Sequence, residues 1–279
     1  GYSSAASDVY KRQDRKYFKA AKKLLQEIHK RMFTVYLQPK INLSDEKLNG
    51  AEALVRKLNG KGSLVPPIDF IPELEQNGLI CFVDFFVLET VCEYIHNWQK
   101  HGKKFIKVSV NMSRTTLRKK NVVQKAVAIC SKYQIEPQMI EIEITESIGG
   151  LEKKLIARLM DDFHAAGFSI ALDDFGSGFS NIAALAENDF DVVKFDKSLI
   201  DTIFENDKSR TVIQQAINLC NAVNKNIETV GEGVETEQQL QILKEYGCDI
   251  GQGYLFSRPI PEEKFLKYFL TGENGEKCD

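Results

Sequence analysis

No stretch of the chain approaches the roughly 18 uninterrupted apolar residues that a membrane-spanning helix needs. The longest candidate, residues 79–88, is broken by Asp84 and reads as a core helix. No secretory signal is read at the start. The six cysteines are scattered, with no C-x-x-C pair, which argues against a zinc ribbon or a disulfide framework. Reduced thiols in the cytoplasm are expected instead. The four histidines form no H-E-x-x-H pattern, which argues against a histidine-based metal site. Neither sign of charge is in excess: 37 Lys and Arg against 39 Asp and Glu leave a net charge of -2. A general binder of DNA or of membrane surfaces would be more basic.

What is present is enough apolar residue, 43% of 279, to build a sizeable core. Residues 1–13 show no periodicity and are read as a tag or assembly scar. A connector helix is predicted over 14–32, where Phe18, Ala21, Leu25, Ile28 and Met32 recur at helical spacing. Residues 33–41 and 48–56 flank a turn-rich stretch and predict an antiparallel hairpin. Helical patterns follow over 67–77 and 82–100. Six strands then alternate with helices: 105–111, 140–145, 168–174, 191–196, 226–232 and 249–256. Their helices fall near 121–133, 152–166, 180–187, 208–224, 236–246 and 261–270. This βα rhythm predicts an α/β fold whose mainly parallel sheet closes into a barrel, a fold that runs to about 250 residues as one domain. The barrel is expected to occupy 33–272 and a disordered tail 273–279.

The polar residues fall at strand ends: Glu52, Asn111, Glu143, the pair Asp173 and Asp174, Lys194, Glu232 and Gln252. In a barrel these ends converge on one mouth. Glu141, Glu143 and Thr145 share one strand face, opposite Ile140, Ile142 and Ile144. Nearer the strand starts, Glu141 and Lys107 are expected to pair inside the barrel. Five acids at one mouth cannot all ionise without cations. Oxygen donors without sulfur or imidazole suit two Mg²⁺ or Mn²⁺ ions. Such a pair activates water for phosphodiester hydrolysis.

These residues resemble the EAL-domain cyclic-di-GMP phosphodiesterases. The resemblance rests on YLQPKINL and GAEALVRK within 36–57, SVNMS (109–113), EITES (143–147), DDFGSGFS (173–180), VKFDKSLI (193–200), GEGVET (231–236) and QGYLFSRP (252–259). It implies a modified (β/α)8 TIM-like barrel with an antiparallel first strand. By the same resemblance, Glu52, Asn111, Glu143 and Asp173 would hold one metal. Asp173, as a bridge, with Asp174 and Glu232 would hold the second. Lys194 would steady the attacking water, and Glu232 matches a proposed general base. Gln38, Arg56 and Gln252 resemble substrate contacts, though Gln38 reads equally as a satisfied interior amide. Glu146 and Glu235 match residues that brace a loop at 174–181.

The implied activity is hydrolysis of cyclic di-GMP to linear 5′-pGpG. The alternative is an inactive sensor that binds cyclic di-GMP without cleaving it. A glycosidase-type barrel is a further rival, but it gives no reason for Asn111, the Asp pair and Lys194 to converge. A homodimer is expected, as is an N-terminal GGDEF or sensory domain in a longer protein. The chain departs from the family where Lys57 replaces the usual Trp, which puts the packing at that edge in question.

Overall fold

The computed structural model describes residues 2–102, 106–145, 153–177, 181–204 and 207–271, without the side chains of 2–14, 153 and 181. Strands β1 (Phe33–Asn42) and β2 (Leu48–Leu58) form the expected hairpin, and β3 (Leu64–Val65) adds a short edge to β2. Then come β4 (Lys107–Asn111), β5 (Ile140–Thr145), β6 (Ser169–Phe175), β7 (Val192–Phe195), β8 (Glu228–Gly231) and β9 (Ile250–Gly251). From β2 through β4 to β9 each neighbour pairs in parallel. The circle closes where β9 meets β1 at Ile41 and Asn42, antiparallel. The short β10 (Ile260–Pro261) pairs with Tyr36 and Leu37. The result is an eight-stave α/β barrel in which β1 alone runs against the rest.

The helices cover the outside. They are α1 (Tyr2–His29), α2 (Ile71–Gln76), α3 (Ile80–Lys100), α4 (Arg114–Leu117), α5 (Val122–Lys132) and α6 (Lys153–Ala165). After them come α7 (Asn181–Glu187), α8 (Lys197–Asp201), α9 (Asp207–Val223), α10 (Glu237–Glu245) and α11 (Glu262–Phe265). Strand alternation sends one set of side chains outward beneath these helices. Ile140, Ile142 and Ile144 join Val108, Val110, Leu172, Val193 and Phe195 in one buried core. Each such aliphatic side chain contributes on the order of 2 kcal/mol through burial. No helix among the described residues is long and apolar enough to cross a membrane.

The opposite set points into the barrel and forms two tiers. Ala171, Val192, Val230 and Ile250 make a small apolar cluster of their own. Each lies two residues before a predicted site residue, namely Asp173, Lys194, Glu232 and Gln252. The period of two therefore stacks an apolar floor directly beneath a polar mouth. Gly50, two residues before Glu52, leaves room at the floor. A Cβ there would lie 2.6 Å from the Lys107 carbonyl oxygen and 3.6 Å from Lys40 Cε.

Several expectations shift. The helix predicted from Asp14 begins at Tyr2. The last strand is two residues long, not eight, because the chain leaves the sheet after Gly251. There Gly253 abuts the Val234 backbone so closely that no side chain would fit. The last helix is α only over Glu262–Phe265 and widens into a π turn over Leu266–Leu270. The pairing expected of Glu141 with Lys107 is wrong. Lys40 Nζ takes Glu141 at 2.6 Å, and Lys107 Nζ donates to Ser169 Oγ at 3.0 Å. Lys57 also finds a use: its Nζ meets Glu27 Oε2 at 3.0 Å and lies 5.1 Å from the Phe33 ring centroid. The residue standing in for Trp thus ties α1 to the barrel. The tail expected at 273–279 lies outside the described residues.

Candidate active site at the barrel mouth

Four strand ends deliver acids to one point. Lys194 Nζ, fully buried, lies 2.8 Å from Glu232 Oε1, 3.0 Å from Glu143 Oε1, 3.1 Å from Asp173 Oδ1 and 3.5 Å from Glu52 Oε2. β2, β5, β6 and β8 supply the acids or lead into them, and β7 supplies the lysine. Glu52 is held from two further sides. Asn111 Nδ2 donates to its Oε1 at 2.9 Å, and Gln252 Nε2 donates to its Oε2 at 2.5 Å.

Asp173 and Asp174 are neighbours, so simple alternation would send them to opposite faces. The ladder between β6 and β7 slips between Leu172 and Phe175, and Asp174 adopts a left-handed φ of 59°. A non-glycine residue in that region costs about 1 kcal/mol or more, and such strain gathers at functional sites. The bulge lets both acids face the mouth. Asp173, Asp174 and Glu232 each offer a carboxylate oxygen within 4.8 Å of the others.

The electrostatics are lopsided. Burial and the nearby Glu52 push Glu143 well above the usual carboxylate range, although Lys194 opposes them. Burial raises Glu232 to about 8, with Asp173 and Glu52 adding to the effect. Burial and Asp173 raise Asp174 to about 6. Glu52 goes the other way. Burial would raise it, but Lys194 and the bonds from Gln252 and Asn111 bring it down to about 2. Burial would also lower Lys194, yet the surrounding acids hold it well above its ordinary range. One lysine therefore cannot satisfy this set of acids.

The unmet demand is visible atom by atom. Both carboxylate oxygens of Glu143, Asp173 Oδ1 and Lys194 Nζ itself are buried without an aligned hydrogen-bond partner among the described residues. The charges sit close but not along hydrogen-bond directions. Buried groups in that condition destabilise a fold unless something else binds them. Oxygen donors of this kind, with no thiolate or imidazole among them, suit hard divalent cations.

Two cavities meet at Glu52. The larger, about 750 Å³, is lined by Arg56, Asn111, Asp173 and Asp174 together with the start of α3. Arg56 hydrogen-bonds the Val55 carbonyl at 2.9 Å and lies over the Tyr36 ring. The smaller, about 230 Å³, is lined by Gln38, Glu232, Glu235, Gln252 and Tyr254. Gln38 is buried, donates to the Ser257 carbonyl at 3.2 Å and accepts from Gln252 at 3.1 Å, as an interior amide would. Glu235 stands apart from the acid cluster and pairs with Lys197 Nζ at 2.8 Å. Glu146 and positions 178–180 of the loop lie outside the described residues.

Two residues escaped the sequence reading. Lys40 is a second fully buried cation, 4.0 Å from Glu143 Oε1. Its place two residues after Gln38, on the same strand face, was the available signal. Asp196, two residues after Lys194, is near enough to help raise Asp174.

Known proteins resemble this chain in sequence and in fold. The family profile described as "EAL domain" matches residues 21–259. The signaling protein YkoW of Bacillus subtilis is 32% identical over 247 residues, 88% of this chain and 30% of YkoW. The cyclic di-GMP phosphodiesterase NbdA of Pseudomonas aeruginosa is 30% identical over 249 residues, 88% of this chain and 32% of NbdA. The chain thus spans about a third of the length of these two relatives. Among solved structures, the PaMucR phosphodiesterase in complex with c-di-GMP superposes with a TM-score of 0.81 at 28% identity. That match covers 87% of this chain and 98% of the other. With its profile matched over most of its length and its acids gathered at the mouth of the expected barrel, the chain belongs to the EAL domain family.

Proposed function

We propose that this domain is a metal-dependent phosphodiesterase that opens cyclic di-GMP to linear 5′-pGpG. The observation that carries the reading is the set of buried, unmatched carboxylate oxygens around Lys194. Relatives named as phosphodiesterases supply the substrate class. Glu52, Asn111, Glu143 and Asp173 would hold one Mg²⁺ or Mn²⁺, and Asp173, Asp174 and Glu232 a second. Bound divalent ions supply Lewis acidity and bring the ionisation of water near neutral pH. Lys194 stays cationic among its acids and stabilises charge that develops on the reacting phosphate. Glu232, whose Oε1 lies 2.8 Å from Lys194 Nζ, would be the group that takes a proton. Arg56 offers a planar fork to a phosphate. Gln38 and Gln252 would orient the substrate beside Glu52. Glu146 and Glu235 would brace the loop at 174–181, the latter through Lys197.

The same reading places the domain in the cytoplasm, as a homodimer, downstream of a GGDEF or sensory domain. MucR of Pseudomonas aeruginosa, named a bifunctional diguanylate cyclase and phosphodiesterase, supports the last point. The test is incubation with cyclic di-GMP and Mg²⁺, Mn²⁺ or Ca²⁺, followed by chromatography. We expect pGpG with Mg²⁺ or Mn²⁺ and little with Ca²⁺. Tight binding without pGpG would make the domain a sensor and overturn the enzymatic reading.

A further inference from the structure

Asp84 is a buried acid that the proposed chemistry does not use. It sits on α3 between Val83 and Phe85, lines the larger cavity, and is 7% exposed. An acid there costs stability, because burial disfavours its charged form. Burial raises it to about 6 even against three hydrogen bonds. An aliphatic residue at this point of the helix would bury with no such cost.

Its hydrogen bonds explain what the acid is for. A single oxygen, Oδ2, accepts from Ser113 N at 3.0 Å, Ser113 Oγ at 2.7 Å and Thr116 Oγ1 at 2.5 Å. These donors belong to the segment that leaves β4 immediately after Asn111. Up to Met112 the segment is held by the sheet, since Met112 N donates to the Glu143 carbonyl at 3.0 Å. At Ser113 the ladder ends and Asp84 takes over. Ser113 also caps α4, its Oγ accepting from Thr116 N at 3.3 Å. Asn111 is therefore clamped on both sides, by the sheet before it and by Asp84 after it. A carboxylate acceptor makes stronger bonds than a neutral one, which suits a clamp on an exit turn.

We infer that Asp84 is a positioning residue: by holding Ser113 and Thr116 it fixes the strand end that aims Asn111 at Glu52, and so sets divalent-ion affinity at the mouth. This inference rests on the metal reading proposed above. Partners that orient metal ligands change affinity about 10–100-fold when removed.

The test measures Mn²⁺ binding alone by calorimetry, with folding checked by circular dichroism. Asp84→Leu should weaken Mn²⁺ binding by about 10-fold or more. Asp84→Asn keeps an acceptor oxygen at the same place and should restore most of the affinity. Asn111→Ala, which deletes the proposed ligand itself, serves as the reference. Wild-type Mn²⁺ affinity in folded Asp84→Leu, with Asn111→Ala weakened, overturns the positioning role and leaves the metal reading standing. Unchanged affinity in both variants removes Asn111 from the ligand set and overturns the inference, whereas no Mn²⁺ binding by the wild type overturns the metal reading itself. If Asp84→Leu does not fold, Ser113→Ala combined with Thr116→Val decides the matter. A loss of similar size upholds the role, and wild-type affinity overturns it.

Discussion

The mouth and the floor of the barrel hold the same kinds of residue in opposite states. At the floor the fully buried lysine has its acid, and Lys107 has a hydroxyl. Lys40 and Glu141 pair at 2.6 Å, Lys107 meets Ser169, and the rest of the tier is the apolar ring of Ala171, Val192, Val230 and Ile250. At the mouth, four acids crowd one lysine, and three of their buried oxygens have no aligned hydrogen-bond partner among the described residues. The two tiers are one pleat apart, so they share burial and backbone. What differs is stoichiometry. Matched charges in a barrel interior are structural, whereas a surplus of one sign is a demand for a ligand of the other. Five acids and one lysine leave a deficit that two divalent ions would cancel.

The comparison can be broken at several points. The largest expected effect is that of Glu52→Ala. It should reduce turnover by more than about 1000-fold, since a lost Lewis-acid contact is worth several kcal/mol. Circular dichroism should show an intact fold, because Glu52 belongs to the surplus and not to the packing. Wild-type-like turnover in that variant would remove Glu52 from the site.

At the floor the signature should reverse. Lys40→Met strands Glu141 without its cation and should cost about 3–5 kcal/mol in a denaturation experiment. Adding Glu141→Leu should recover most of that loss, since a packed apolar pair replaces a broken ionic one. A Lys40→Met protein as stable as the wild type would show that the floor pair is not structural.

Lys194→Ala falls between these extremes. We expect kcat to drop about 100-fold, the usual scale for losing one donor to developing charge. Substrate affinity should change far less, and a loss confined to KM would contradict its role. The smallest effect is on the melting temperature. Mn²⁺ at ten times its dissociation constant should stabilise the wild type by about 1.4 kcal/mol. The shift should persist in Lys40→Met and vanish in Glu52→Ala. A shift that survived Glu52→Ala would place the ion elsewhere.

Much of this was legible before the structure. The strands around Ile140–Thr145 and Ser169–Phe175 announce themselves, because alternation with period two is forced by the pleat. Glu52, Glu143, Asp173, Lys194 and Glu232 could be assigned to one end because parallel staves carry their C-termini to one mouth. Other features were not legible. The eighth stave was read as 249–256, but Gly253 against Val234 takes the chain out of the sheet, and no local signal marks that contact.

The sequence by itself determined the barrel rhythm, the family and the acids at the strand ends, since each depends on local spacing. The tertiary structure decided which charges meet. Lys40, 101 positions before Glu141, won it over Lys107 because the closing of β1 against β2 and β9 brings Lys40 into the barrel. It likewise decided that a slipped ladder turns Asp174 toward the mouth and that Asp84 clamps the turn after Asn111. Such contacts depend on register between segments far apart in the chain, which neither composition nor periodicity encodes.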